Sequence, residues 1–98
     1  MAYKEIRKPE FDNRIHEDIE HCRGYIQKMT GEEAELLTCE VDYSECGDVL
    51  LFPMCKYIIK SGDCLVIGQV SRLWGDDDIK SSRIYLTDEM ENKLKEIL

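Results

Sequence analysis

The string His16-Glu17-Asp18-Ile19-Glu20-His21 gathers two imidazoles and three carboxylates, the raw material of a metal site. A zinc-binding helix needs its two ligands at i and i+4, stacked on one face, as in His-Glu-x-x-His. Here the histidines are five apart, which turns them about 140° from each other at 3.6 residues per turn. They cannot share one metal ion. His16 with Glu20 and Glu17 with His21 do have i,i+4 spacing, and read as ordinary surface pairs. Asp76-Asp77-Asp78 offers oxygen ligands to a hard cation but lacks the alternating ligands and central glycine of a calcium loop. It reads as a solvated acidic loop.

Cysteine and serine chemistry fares no better. The five cysteines (Cys22, Cys39, Cys46, Cys55, Cys64) are odd in number and include no Cys-x-x-Cys pair. Reduced thiols, without structural zinc, are the expectation. Cys39 and Cys64 fall inside strand patterns, where a thiol fills space as a small hydrophobe. Ser61, Ser71, Ser81 and Ser82 have no histidine near them in sequence to act as base. Glycine-rich phosphate cradles and Gly-x-Ser-x-Gly elbows are absent. No catalytic residue, cofactor or metal is expected, and the chain reads as a non-enzyme.

Charge carries more information than any motif. The net charge is -8, and from Met29 to Cys55 there are seven acids (Glu32, Glu33, Glu35, Glu40, Asp42, Glu45, Asp48) and no Lys or Arg. Such a segment repels phosphate, so direct nucleic-acid binding is not expected, whereas a basic protein surface is a natural partner. The N-terminus has no apolar leader and no stretch approaches membrane-spanning length, so the reading is cytoplasmic, with no membrane partner.

These side chains need elements to hold them, and 98 residues provide for one domain with one modest core. Residues 1–9 read as a loose arm. Phe11, Ile15, Ile19 and Cys22 share one helical face, opposed by Arg14, Glu17, Asp18 and Arg23, which gives a helix over 10–22. The helical count continues to Ile26 and Met29, but Gly24 weakens a helix interior and Tyr25-Ile26 suits a strand. A β-rich core over 23–86 is therefore expected, with a turn at Thr30-Gly31-Glu32-Glu33. The competing signal is Thr30-x-x-Glu33, a capping-box spacing.

Within that core, Leu37, Cys39, Val41 and Tyr43 alternate with Thr38, Glu40, Asp42 and Ser44, which points the first set inward and Glu40 and Asp42 to solvent. Val49 to Phe52 reads as a short strand stopped by Pro53, which cannot donate to a ladder. Ser61-Gly62-Asp63 is a turn into the most apolar run of the chain, which ends at Trp74. A strand over Arg83 to Leu86 precedes a helix over 87–98, with Thr87 or Asp88 as N-cap and Met90, Leu94, Ile97 and Leu98 as its stripe. The class is α+β: an N-terminal helix, a strongly bent antiparallel sheet or partly open barrel of about five strands, and a C-terminal helix.

The string from Gly24 through Gly31 to Ala34, then Phe52-Pro53, then Gly62-Asp63-x-Leu65, resembles small bacterial SH3-like or OB-like β-barrel proteins. One uncharacterised family of these carries Gly-x-Ile-Asp-Arg-x-x-Gly-x-x-Ala and later Gly-Asp-x-Leu. Gln27 and Lys28 depart from its Asp-Arg. The resemblance implies a barrel and no activity.

The expected function is binding of another protein in a regulatory or inhibitory role. The contact would come from Glu32, Glu33, Glu35, Glu40, Asp42, Glu45 and Asp48, with Trp74 as an aromatic anchor beside Asp76, Asp77 and Asp78. A specific version is a nucleic-acid mimic that blocks the basic groove of a nucleic-acid-binding protein. The rivals are a Cys/His metal-binding regulator and a small enzyme whose site is assembled from distant residues.

Overall fold

The computed structural model describes residues 4–74 and 76–87. One helix, α1 (Lys8–Thr30), precedes four strands, β1 (Glu35–Cys46), β2 (Val49–Ser61), β3 (Cys64–Ser71) and β4 (Lys80–Thr87). The strands form an open antiparallel sheet in the order β1-β2-β3-β4, and α1 packs across one face on β2 and β3. The α+β class holds, with four strands rather than about five. The C-terminal helix expected over 87–98 lies outside the described residues, apart from Thr87, which is the last residue of β4.

The helix does not end near Cys22, and no strand begins at Arg23 or Gly24. It runs to Thr30 and stops at Gly31, whose left-handed conformation lets its N–H reach Gln27 O at 2.9 Å. Magnitudes explain the outcome. An interior glycine costs about 1 kcal/mol relative to alanine, whereas burying one isoleucine contributes about 1.5–3 kcal/mol. Ile26 extends the Phe11-Ile15-Ile19-Cys22 stripe by one turn and is fully buried. The motif at Gly24 to Ala34 thus belongs to the end of a helix and its exit, rather than to a β turn.

Residues 4–7 of the expected arm are tied down as well. Ile6 is fully buried, its carbonyl accepts the Leu50 N–H at 2.8 Å, and Arg7 bridges Val49 as a short antiparallel continuation of the sheet. The Arg72 guanidinium, itself buried, donates to the Lys4 carbonyl.

Pro53 does not stop a strand. β2 passes through it because Phe52 and Pro53 together oppose the single residue Tyr43, a β-bulge in which the missing proline N–H costs no ladder bond. A second bulge sets the register of β1. Leu36 pairs with Ile59 and Thr38 with Ile58, so Leu37 is the extra residue and drops out of the alternation. Beyond it Cys39 and Val41 pair with Tyr57 and Cys55 and share the helix-covered face, while Thr38, Glu40 and Asp42 share the opposite face. The orientation of Glu40 and Asp42 is as expected, but Leu37, Cys39 and Val41 do not enter the core. All three are exposed, because α1 lies over β2 and β3.

Candidate functional site

The buried chemistry sits between helix and sheet. Tyr57, Gly68 and Arg83 form one cross-strand row on the helix face. A Cβ at Gly68 would overlap the Tyr57 ring, so the glycine is what lets the ring lie across β3. The Tyr57 hydroxyl then donates to Asp18 Oδ2 at 2.6 Å, and Arg83 donates to Asp18 Oδ1 at 2.7 Å, to the Asp18 carbonyl at 3.2 Å and to the Tyr57 oxygen at 3.1 Å. Burial, reinforced by the bond to Asp18, pushes the Tyr57 hydroxyl well above the ordinary tyrosine range. Burial works against the Arg83 charge, but its bonds to Tyr57 and Tyr85, with the charge of Asp18, outweigh it and raise its pKa. Both oxygens of Asp18 are occupied, so the cluster fixes the helix on the sheet and offers no open position to a substrate.

Sequence reasoning placed Asp18 on the polar face and missed this network. Two signals could have exposed it. Asp18 stands three residues after Ile15 and four before Cys22, inside the apolar stripe, and Arg83 is the only base between Ser81 and Thr87.

The predicted acidic surface is dispersed. Glu32 and Glu33 lie at the exit of α1, where the Glu32 carbonyl accepts the Ser61 hydroxyl at 2.9 Å and its side chain rests against Gly62. Glu35 and Glu40 stand directly opposite Lys60 and Lys56 across the β1-β2 ladder. Glu45 lies 4.0 Å from Lys8, and Asp48 is paired with Arg7. The imbalance counted along the chain between Met29 and Cys55 is thus offset in part, by ion pairs at Glu45 and Asp48 and by lysines across the ladder from Glu35 and Glu40. A groove of about 620 Å³ beside the start of β1 has both signs in its wall, with Arg23 and Lys60 facing Glu33 and Glu35.

The acidic loop is structured around the turn that carries Trp74. Asp76 Oδ2 accepts the Leu73 N–H at 3.1 Å, and the Asp76 N–H returns a bond to Leu73 O at 3.0 Å. The Lys80 ammonium, at 3.1 Å, and then that backbone N–H hold the Asp76 carboxyl below the usual carboxylate range. The Ile79 N–H and then Lys4 do the same for Asp78. Asp77 is exposed.

What the structure brings together here is aromatic. Trp74, 82% exposed, lies with its ring centroid 6.1 Å from that of Phe52, which is 52% exposed. Leu51 and Leu73 are exposed beside them in the chain, so four large apolar side chains mark one end of the sheet. Phe52 has φ +51, left-handed backbone in the bulge position where glycine is the usual occupant. The expectation that Trp74 is an anchor gains a second aromatic that sequence alone did not single out, because Phe52 reads as an ordinary strand residue until the bulge is seen.

Among the described residues no group of three or more His, Cys, Asp or Glu side chains gathers as metal ligands. His16 and His21 are exposed on α1. No helix among the described residues is long and apolar enough to cross a membrane. No family model matches this chain, and neither a curated protein nor a solved structure is significantly similar to it.

Proposed function

We propose that this chain is a non-enzymatic protein-binding module with a regulatory or inhibitory role, and that the aromatic rim at Phe52 and Trp74 carries its principal contact. The observation behind this reading is the left-handed backbone that presents the exposed Phe52 ring beside Trp74. A bulky residue in that conformation costs on the order of 1 kcal/mol or more, and the ring gains little burial in return. Strain of this kind concentrates at functional surfaces, and aromatic anchors dominate protein interfaces. Asp76, Asp77 and Asp78 border the rim and suit a partner whose surface is apolar at its centre and basic at its edge. A basic nucleic-acid-binding protein is one partner with that surface.

The test is co-purification of the wild-type protein, a Phe52→Gly/Trp74→Ala variant, and a variant with Glu40, Asp42, Glu45 and Asp48 changed to amides. The expected result is a partner retained by the wild type, retained by the amide variant with a flatter salt dependence, and lost by the rim variant. Equal retention by the rim variant would overturn the rim as the contact.

A further inference from the structure

The outer strand β1 presents a second surface of different chemistry. It is 12 residues long, it stands at the edge of the sheet, and every one of its residues except Tyr43 is exposed. Tyr43 is covered by Phe11, whose ring meets it edge-on with centroids 6.4 Å apart. From Thr38 to Asp42 the strand is free of bulges and pairs residue by residue with β2. Its two faces there are chemically opposite. Leu36, Cys39 and Val41 lie on the helix side, with Val41 46% exposed, and Thr38, Glu40 and Asp42 lie on the other.

An edge strand is a template for another chain, and proteins usually guard it with an inward-pointing charge, a proline or a very short strand. Here the inward positions from Leu36 to Val41 carry Leu, Cys and Val, and the first inward charge, Glu45, comes only beyond Tyr43 and lies 4.0 Å from Lys8. We propose that β1 takes up an extended segment of another protein as an added strand, and that this segment alternates apolar residues with Lys or Arg. Cross-strand neighbours share a face, so along the regular stretch residues of the incoming strand opposite Cys39 and Val41 meet apolar side chains, and those between them meet Glu40 and Asp42. Glu40 already has Lys56 opposite it on β2, and a base on its outer side extends an alternating-charge ladder, whereas Asp42 stands opposite Met54. A second copy of this chain is the wrong occupant. An antiparallel pairing of β1 with β1 centred on Val41 keeps the apolar faces together but sets Glu40 of each copy opposite Asp42 of the other, and like charges opposite each other are destabilising. This surface is separate from the aromatic rim, and the proposal does not depend on the rim being a contact.

The probe is a 12-residue peptide alternating valine and lysine, matched to the length of β1, with a valine–glutamate peptide as its counterpart. Two readouts report on β1: amide hydrogen exchange over 36–43, and the alkylation rate of Cys39, whose thiol is on the exposed inner face. The lysine peptide is expected to slow both in a saturable way, and the glutamate peptide to leave them unchanged. In a Glu40→Lys/Asp42→Lys variant the preference should reverse, with the lysine peptide bound roughly tenfold more weakly. Equal protection by both peptides, no protection by either, or a wild-type protein already dimeric with β1 amides protected would each overturn the proposal. The comparison of the two peptides on the wild-type protein decides it even where the double variant does not fold.

Discussion

The covered half of the sheet and its outer edge invert the ordinary distribution of polar and apolar groups in opposite directions. Under α1 a carboxylate, a guanidinium and a phenol are buried together, whereas along β1 and at the Phe52–Trp74 rim leucine, valine, phenylalanine and tryptophan face solvent. The buried set is explained from within, since Asp18, Tyr57 and Arg83 are hydrogen-bonded to one another. The exposed set is not enclosed in this way. Its geometry is instead held deliberately, by a bulge at Phe52-Pro53, a bulge at Leu37, and an acidic loop whose backbone bonds shape the Trp74 turn. Polar groups buried and matched indicate stability, and apolar groups exposed on fixed backbone are the grounds for the two binding surfaces proposed above.

The largest effect should come from the covered half. Replacing Asp18 by Ala leaves Arg83 charged and mostly buried, and breaking a buried pair from one side costs about 3–5 kcal/mol. Chemical denaturation should show that loss for Asp18→Ala. Tyr57→Phe, which removes one neutral donor and keeps the ion pair, should cost about 1–2 kcal/mol. Equal and small effects for both would mean that the cluster is not what fixes the helix on the sheet.

A smaller effect should appear at alkaline pH. Burial, with the neighbouring Cys39 thiol 3.5 Å away, pushes Cys55 up from 9.0 to about 12. Burial also raises Cys22 and Cys64, and Tyr57 is raised by burial and its bond to Asp18. Each of these groups holds its proton more tightly folded than unfolded. Their contribution is therefore complete below the unfolded values, and it is lost as pH rises from about 9 through the folded ones, on the order of a few kcal/mol in all. Urea titrations at pH 7.5, 9 and 10.5 should show stability falling with a slope that Cys55→Ala reduces. A flat profile would mean that these groups are open to solvent.

How far the sequence revealed this division follows from which signals are local. The helix stripe from Phe11 to Cys22, the turn at Gly62 and the β1 alternation from Thr38 to Tyr43 are periodic or compositional and lie where periodicity puts them, and β4 contains the expected strand over Arg83 to Leu86 but begins at Lys80. The end of α1 was not legible, because Gly24 and Tyr25 argue locally for a break, and only burial of Ile26 against the sheet decides otherwise. The bulges were not legible either. Pro53 looks like a strand end unless Tyr43 is known to sit opposite it, and Leu37 looks inward until Thr38 is found paired with Ile58. The same holds for charge: Lys56 and Lys60 lie outside the acidic segment in sequence and directly opposite Glu40 and Glu35 in the sheet. Strand pairing and the packing of the helix on the sheet are both non-local, and the end of α1 depended on the second, the roles of Pro53 and Leu37 on the first.

The smallest expected effect tests the exposed half most directly, because it separates strain from contact at Phe52. Its φ of +51 costs a side chain on the order of 1 kcal/mol that glycine does not incur. Phe52→Gly removes both the strain and the ring, and Phe52→Ala removes the ring but keeps the strain. The ring's contribution to stability is limited, since it is half exposed and its contact with Trp74 is an aromatic pair at the surface. Phe52→Gly should therefore match or exceed the wild type, and should be more stable than Phe52→Ala by about 1 kcal/mol, although glycine loses more chain entropy on folding. Thermal and urea melts of the three proteins give the comparison. A Phe52→Ala variant as stable as Phe52→Gly would show that the bulge holds phenylalanine without cost, and the contrast between a matched interior and a strained, presented rim would lose its second half.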